Sequence, residues 1–184
     1  MYNFFLSFEP SRRRLKGVCI LLSVATLAML LSYCVELKHS NEEILCLALN
    51  IYHEGRGEPF AGRLGIATVT MNRVASKKFP NNVCQVVFQR RYHRKHGFYV
   101  GEFSWTQDQI SDTPKHDASW TDAINLARNV YRNNLLNHDV KNALFYHATY
   151  IQPGWANRMH KITTIGQHAF YQNYGTVSNK PEKK

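Results

Sequence analysis

Nineteen consecutive residues, Gly17 to Val35 (GVCILLSVATLAMLLSYCV), carry no charge, no proline and no asparagine, and nothing else in the chain limits its folding as strongly. As a helix at about 1.5 Å per residue this run spans roughly 28 Å, close to the hydrocarbon thickness of a bilayer. Arg12, Arg13, Arg14 and Lys16 precede it. The positive-inside rule then predicts a cytoplasmic basic segment at 1–16, a transmembrane signal anchor at 17–35, and a remainder lying across the membrane. Cleavage and secretion is the alternative. It is disfavoured because Ser32-Tyr33-Cys34 is a poor small-x-small site and Tyr33 before Cys34 suits a lipoprotein signal badly. A buried core helix would not need four cations at its start.

The formal net charge of +10 is spread unevenly: +3 over residues 1–40, +5 over 41–179 and +2 over 180–184. Four of the cations fall in QRRYHRKH, Gln89 to His96. A basic stretch holding a Tyr suits phosphates or nucleic acid, or simply a solvated loop. Export removes the domain from cytoplasmic DNA and no nucleic-acid-binding signature is present, so the reading is no nucleic acid and an anionic envelope polymer as the natural partner.

One domain is expected at 41–174, mainly helical, followed by a disordered basic tail at 175–184. Ser40-Asn41-Glu42-Glu43 has the form of a capping box opening a helix that ends near Glu54, where Gly55 and Gly57 follow. Pro59 restarts a helix to about Ser76, Asn81 or Asn82 caps a short one, and Ala118 to Asn133 is helical by period. Gln89 to Pro114 reads as irregular or a small hairpin, Ala143 to Tyr150 as a strand, and Lys161 to Tyr171 as the end of the fold. Cys19 and Cys34 lie in the apolar run. Cys46 and Cys84 lie in the exported domain and are candidates for one disulfide.

The stretch LALNIYHEGRGEPFAG, Leu47 to Gly62, carries the chemistry, and it has three readings. A zinc helix needs HExxH, but Gly55, Arg56 and Gly57 follow His53-Glu54 and the second ligand is missing. No metal and no cofactor are expected. Glu54 and Glu58 could be paired carboxylates, yet the glycines and Pro59 break the helix between them. Glu58 then suits a cap or salt-bridge role at the start of the next helix better than catalysis. The third reading is a lone acid: Glu54 ends an apolar helix, where desolvation favours the protonated form a general acid needs.

The ordered set LALNIYHEGRGEP, GIATVTMNRV, FPNNVCQVVFQ, EFSW, ALFYH, Trp155 and IGQHAFY, covering roughly Asn41 to Tyr174, resembles the spore-cortex-lytic (SleB/CwlJ-type) family of cell wall hydrolases. The resemblance implies a small lysozyme-like, mainly α (α+β) domain with a short β element, acting on peptidoglycan glycan strands. It places the catalytic acid at Glu54. The family more often has Ala at the position of Gly55, which leaves the carboxylate in place.

Ser104 of the F-S-W motif and Tyr146 of the strand are implied cleft residues. Arg56 and Glu58 adjoin the acid, and Phe103, Tyr146 and Trp155 are candidates either to stack on sugars or to fill the core. His168 is a candidate either for the site or for a structural hydrogen bond. One carboxylate is enough for a lytic transglycosylase that closes a 1,6-anhydro ring on N-acetylmuramic acid. Asp108 and Asp112 keep lysozyme-type hydrolysis open, and a membrane-anchored, non-enzymatic wall-binding scaffold is the alternative of another class. The expected partners are peptidoglycan and, through the amino-terminal helix, the membrane; the chain is expected to act as a monomer.

Overall fold

The computed structural model describes residues 12–94, 97–108, 111–115 and 117–173. Most of the expected cytoplasmic segment and the whole of the expected tail lie outside them. The chain divides into two units, residues 1–41 and 42–184. In the first, the apolar side chains from Leu21 to Val35 are exposed, with Leu21 and Met29 each at 71 %, as no core helix of a water-soluble domain would leave them. A helix long and apolar enough to cross a membrane begins here.

Helix α1 runs from Arg12 to Glu54, so Ser40-Asn41-Glu42-Glu43 does not open a helix. The capping reading fails because the helix arrives from the apolar run, and its backbone donors at residue 40 are no longer orphans. Glu43 is instead buried and accepts a hydrogen bond from the Val83 amide at the start of α3, Val83–Val87. Asn82 caps the same short helix by accepting from Gln85 N at 2.8 Å. Cys46 on α1 and Cys84 on α3 form a disulfide with their Cα atoms 5.2 Å apart.

Helix α2, Phe60–Ala75, is buried nearly all round, from Gly62 through Val69 to Arg73, which is the pattern of a central core helix. One side packs Leu64 and Ala67 against Leu47, Ala48 and Ile51 of α1, and against Trp120, Ala127 and Val130 of α4, Ala118–Asn133. Asp117 caps α4 by accepting from Trp120 N at 2.9 Å, and Asn134 ends it with φ 52°. The other side sets Val69 against Phe170, Val140 and Ala143.

Phe170 belongs to a three-stranded antiparallel sheet ordered β3-β5-β4, made of Phe145–Ala148, His168–Gln172 and His160–Ile165. Tyr146 pairs with Phe170 in register. The basic stretch forms a separate hairpin of β1, Arg90–His93, and β2, Phe98–Gly101. The domain is therefore mainly helical with a small β element, as its sequence implies.

Candidate active site

Glu54 is the last residue of α1. The chain turns away there because Gly57 takes φ +84°, a conformation open to glycine, while the Gly55 amide still closes the helix on Ile51 O at 2.9 Å. The Glu54 carboxyl lines a cleft of about 600 Å³, within the usual range for ligand sites. Burial raises its pKa above the ordinary value of 4.5, and the hydrogen bond from Tyr146 and the Arg73 guanidinium offset part of that rise. A carboxyl so placed holds its proton to higher pH than one in water.

Tyr146, from β3, donates its hydroxyl to Glu54 Oε2 at 3.2 Å. Burial and then the charge of Glu54 push the phenol well above its ordinary pKa, so it stays a donor. One helical turn before Glu54, the fully buried Asn50 opposes part of the rise in the same phenol's pKa. Asn50 also donates to Thr70 Oγ1 at 3.1 Å and accepts from Trp105 Nε1 at 3.4 Å. The acid is thus held by side chains from α1, α2, β3 and the loop after β2.

Arg73, on α2, has a side chain only 6 % exposed. Its Nε donates to Leu144 O at 2.8 Å, and its guanidinium lies 5.1 Å from the Phe79 ring and 5.3 Å from the Phe103 ring. Nη1 is 3.9 Å from Glu102 Oε2, and Arg91 ion-pairs the same carboxylate. Desolvation lowers the Arg73 pKa, offset by Tyr146, Glu102 and Glu54. Sequence reasoning passed over Arg73, Glu102 and Asn50. The available signal was a cation on a buried stripe, since Arg73 sits seven residues after Ile66 and four after Val69.

Arg56, Glu58, Phe103, Ser104, Tyr146 and His168 join Glu54 around the cleft. Their environments differ. Ser104 is exposed, whereas Phe103 is 4 % exposed and belongs to the core. Arg56 lies 3.7 Å from Asp117 and 5.4 Å from the Tyr52 ring.

Glu58 does not cap α2, whose cap residue Pro59 receives no side-chain bond. Its carboxylate accepts from Gln167 N at 3.0 Å and lies 3.4 Å from His168 Nδ1, tying α2 to the turn between β4 and β5. Gly166 makes this possible, because a Cβ there would stand 1.9 Å from Glu58 Oε2 and φ is +55°. Burial lowers the His168 pKa against the opposing pull of Glu58.

Trp155 does not line the cleft. It packs with Phe145 and Tyr171 under the far side of the sheet, because the loop before β4 carries it there. Of the two aspartates, Asp108 lines the cleft and Asp112 does not; the Asp112 carbonyl lies 3.2 Å from His53 Nε2. His53 itself stacks on Trp105 with centroids 4.5 Å apart. Among the described residues no group of three or more His, Cys, Asp or Glu could hold a metal.

A desolvated carboxyl at a helix end, a phenol bonded to it and a polar cleft beside a small sheet make up the site of a mainly helical domain. The chain belongs to the cell wall hydrolase family, whose model, described as Cell Wall Hydrolase, matches residues 57–171. Glu54 precedes that span by three residues.

The chain is 43% identical over 53 residues to a spore cortex-lytic enzyme of Bacillus cereus, which is 29% of this chain and 20% of the relative. It is 48% identical over 50 residues to the spore cortex-lytic enzyme of Bacillus subtilis strain 168, or 27% and 16%. The chain therefore matches at most about a fifth of the length of these relatives.

Among solved structures, the catalytic domain of the germination-specific lytic transglycosylase SleB from Bacillus anthracis is 28% identical, with 71% of this chain and 93% of that one covered and a TM-score of 0.50. The SleB catalytic domain of Bacillus cereus is 27% identical over 72% and 91%, with a TM-score of 0.49.

Proposed function

We propose that this chain is a lytic transglycosylase that cleaves the bond between N-acetylmuramic acid and N-acetylglucosamine in peptidoglycan, with Glu54 as its acid and base. The observation that carries the reading is the desolvated Glu54 carboxyl in the cleft, held by Tyr146 at 3.2 Å. In the first step Glu54 gives its proton to the glycosidic oxygen. The bond to C1 breaks, and its electron pair leaves with that oxygen while positive charge develops on the ring. The Glu54 carboxylate then takes the proton of the muramic C6 hydroxyl, whose oxygen bonds to C1 and closes the 1,6-anhydro ring. Protons balance, and no water is consumed.

Tyr146 and Arg73 favour the carboxylate formed midway, while burial favours the acid that begins the cycle. The same residue can therefore serve both halves. Three further carboxylates line the cleft, Glu58, Glu102 and Asp108, and keep hydrolysis as the second reading, since a retaining or inverting hydrolase needs a partner acid. Glu58 is engaged by Gln167 N and His168. Glu102 is engaged by Arg91 and Arg73, which favours the one-acid route.

The address fits the substrate. An uncleaved anchor at 17–35, with the basic residues 12–16 inside, would leave the catalytic unit on the outer side of the membrane, against the wall. The test is to incubate the full chain, held in mild detergent, with purified sacculi and measure soluble glycan release. The unmodified chain releases fragments and Glu54→Gln does not. Equal release by both would overturn the assignment of Glu54, and binding without release by either would favour a scaffold.

A further inference from the structure

The β1–β2 hairpin does not line the cleft, yet it carries exposed aromatic and cationic side chains. Strand alternation puts Arg90 and Tyr92 on one face, and the register sets Tyr99 directly opposite Tyr92 on that face. The two rings lie 5.3 Å apart at 63°, and they are 54 % and 62 % exposed. Arg90 and Arg94 are exposed as well. On the opposite face Arg91 pairs with Glu102 and Val100 is half-buried, while Phe98 is 55 % exposed.

Beyond β2 the chain passes straight into Glu102, Phe103 and Ser104 on the cleft wall, and Glu102 N bonds Gln89 O at 3.0 Å across the hairpin's base. The Tyr92–Tyr99 pair supports the hairpin, yet both rings stay more than half in water, and exposed aromatic patches mark contact surfaces. Tyr and Arg are also the side chains that most often dominate binding.

We propose that this hairpin face is a second contact surface for the glycan, gripping the strand beyond the sugars held in the cleft. Tyr92 and Tyr99 pack on the apolar faces of pyranose rings, and Arg90 pairs with stem-peptide carboxylates. A phosphate polymer would need the arginines alone; the paired rings select a sugar chain that carries carboxylates. The inference rests on the peptidoglycan reading above, and its test separates the two.

Binding is measured with the full chain carrying Glu54→Gln, in mild detergent, on purified sacculi stripped of phosphate polymers. Adding Tyr92→Ala and Tyr99→Ala weakens binding about tenfold or more, while Tyr92→Phe with Tyr99→Phe keeps it. In the otherwise unmodified chain, the alanine pair leaves turnover of a soluble disaccharide-repeat fragment held in the cleft within about twofold, which also shows that the domain folds. Arg90→Gln weakens sacculus binding and flattens its salt dependence.

Unchanged sacculus affinity in the alanine pair would overturn the proposal, and so would a loss seen only on sacculi that retain phosphate polymers. Glycan release without hairpin-dependent binding removes this surface and leaves the enzyme. Hairpin-dependent binding without release keeps the surface and removes the enzyme.

Discussion

The Tyr146 hydroxyl donates to Glu54 Oε2 across 3.2 Å, joining edge strand β3 to the last residue of α1. That bond opposes the desolvation that raises the Glu54 pKa. Tyr146→Phe removes it without changing the packing, so the Glu54 pKa rises further. Activity that needs protonated Glu54 falls as pH climbs through that pKa, and the alkaline limb of the kcat/KM profile therefore moves to higher pH in the variant. Turnover at the optimum drops about tenfold, the scale of one hydrogen bond to a charged group. An unmoved limb would mean that Tyr146 does not act on Glu54.

Stability carries the same sign. A carboxyl whose pKa is raised in the folded state contributes most below its unfolded value, near 4.5, and loses that contribution as pH rises through the folded pKa. Glu54→Gln cannot ionise. Its melting temperature at pH 7.5 should exceed that of the unmodified chain, and the gap should close near pH 4. Thermal unfolding followed by circular dichroism at both pH values checks this.

Arg73 holds Leu144 O, three phenylalanine rings and Glu102 together, with a side chain 6 % exposed. Arg73→Met leaves Glu102 with Arg91 and deprives Glu54 of a stabilising charge. Losing the Arg73 bond to the buried Leu144 carbonyl costs about 1 to 3 kcal/mol, read as a lower denaturant midpoint, and the alkaline limb moves up as it does for Tyr146→Phe. Arg73→Lys keeps the charge but cannot reproduce the planar fork, so it falls between the two.

The Cys46–Cys84 bond closes a loop with a sequence separation of 38 between α1 and α3. On the chain-entropy account, removing it with Cys46→Ala and Cys84→Ala costs about 3 to 4 kcal/mol. Glu43 still accepts from Val83 N in the variant, so the fold persists and only the unfolding midpoint shifts. Denaturant titration of the oxidised chain and the double variant measures the difference.

Much of this was legible in the residues, where local chemistry decides. Helix α4 occupies the residues its period marks, with Asp117 supplying the cap, and α1 stops at Glu54 because Gly57 lets the chain turn. Where the sequence misleads, a distant partner decides instead. Glu43 looks like half of a capping box but serves the amide of Val83, forty residues on. Glu58 reads as a helix cap or a salt-bridge partner, and its partners, His168 and Gln167 N, lie more than a hundred residues on. Trp155 reads equally as a sugar-stacking or a core residue, and the loop before β4 turns it into the core under the sheet. Arg73 and Glu102 meet only when α2 packs beside the segment after β2, and spacing along the chain does not display that meeting.

Cleavage by Glu54 without a water is the central claim, and digestion of purified sacculi in water enriched in oxygen-18 tests it most directly. The account predicts 1,6-anhydro-muramic ends, each one water lighter than a reducing end and free of the heavy isotope. Reducing muramic acid ends carrying one oxygen-18 at C1 would contradict it, and would call for a second carboxylate from Glu58, Glu102 or Asp108.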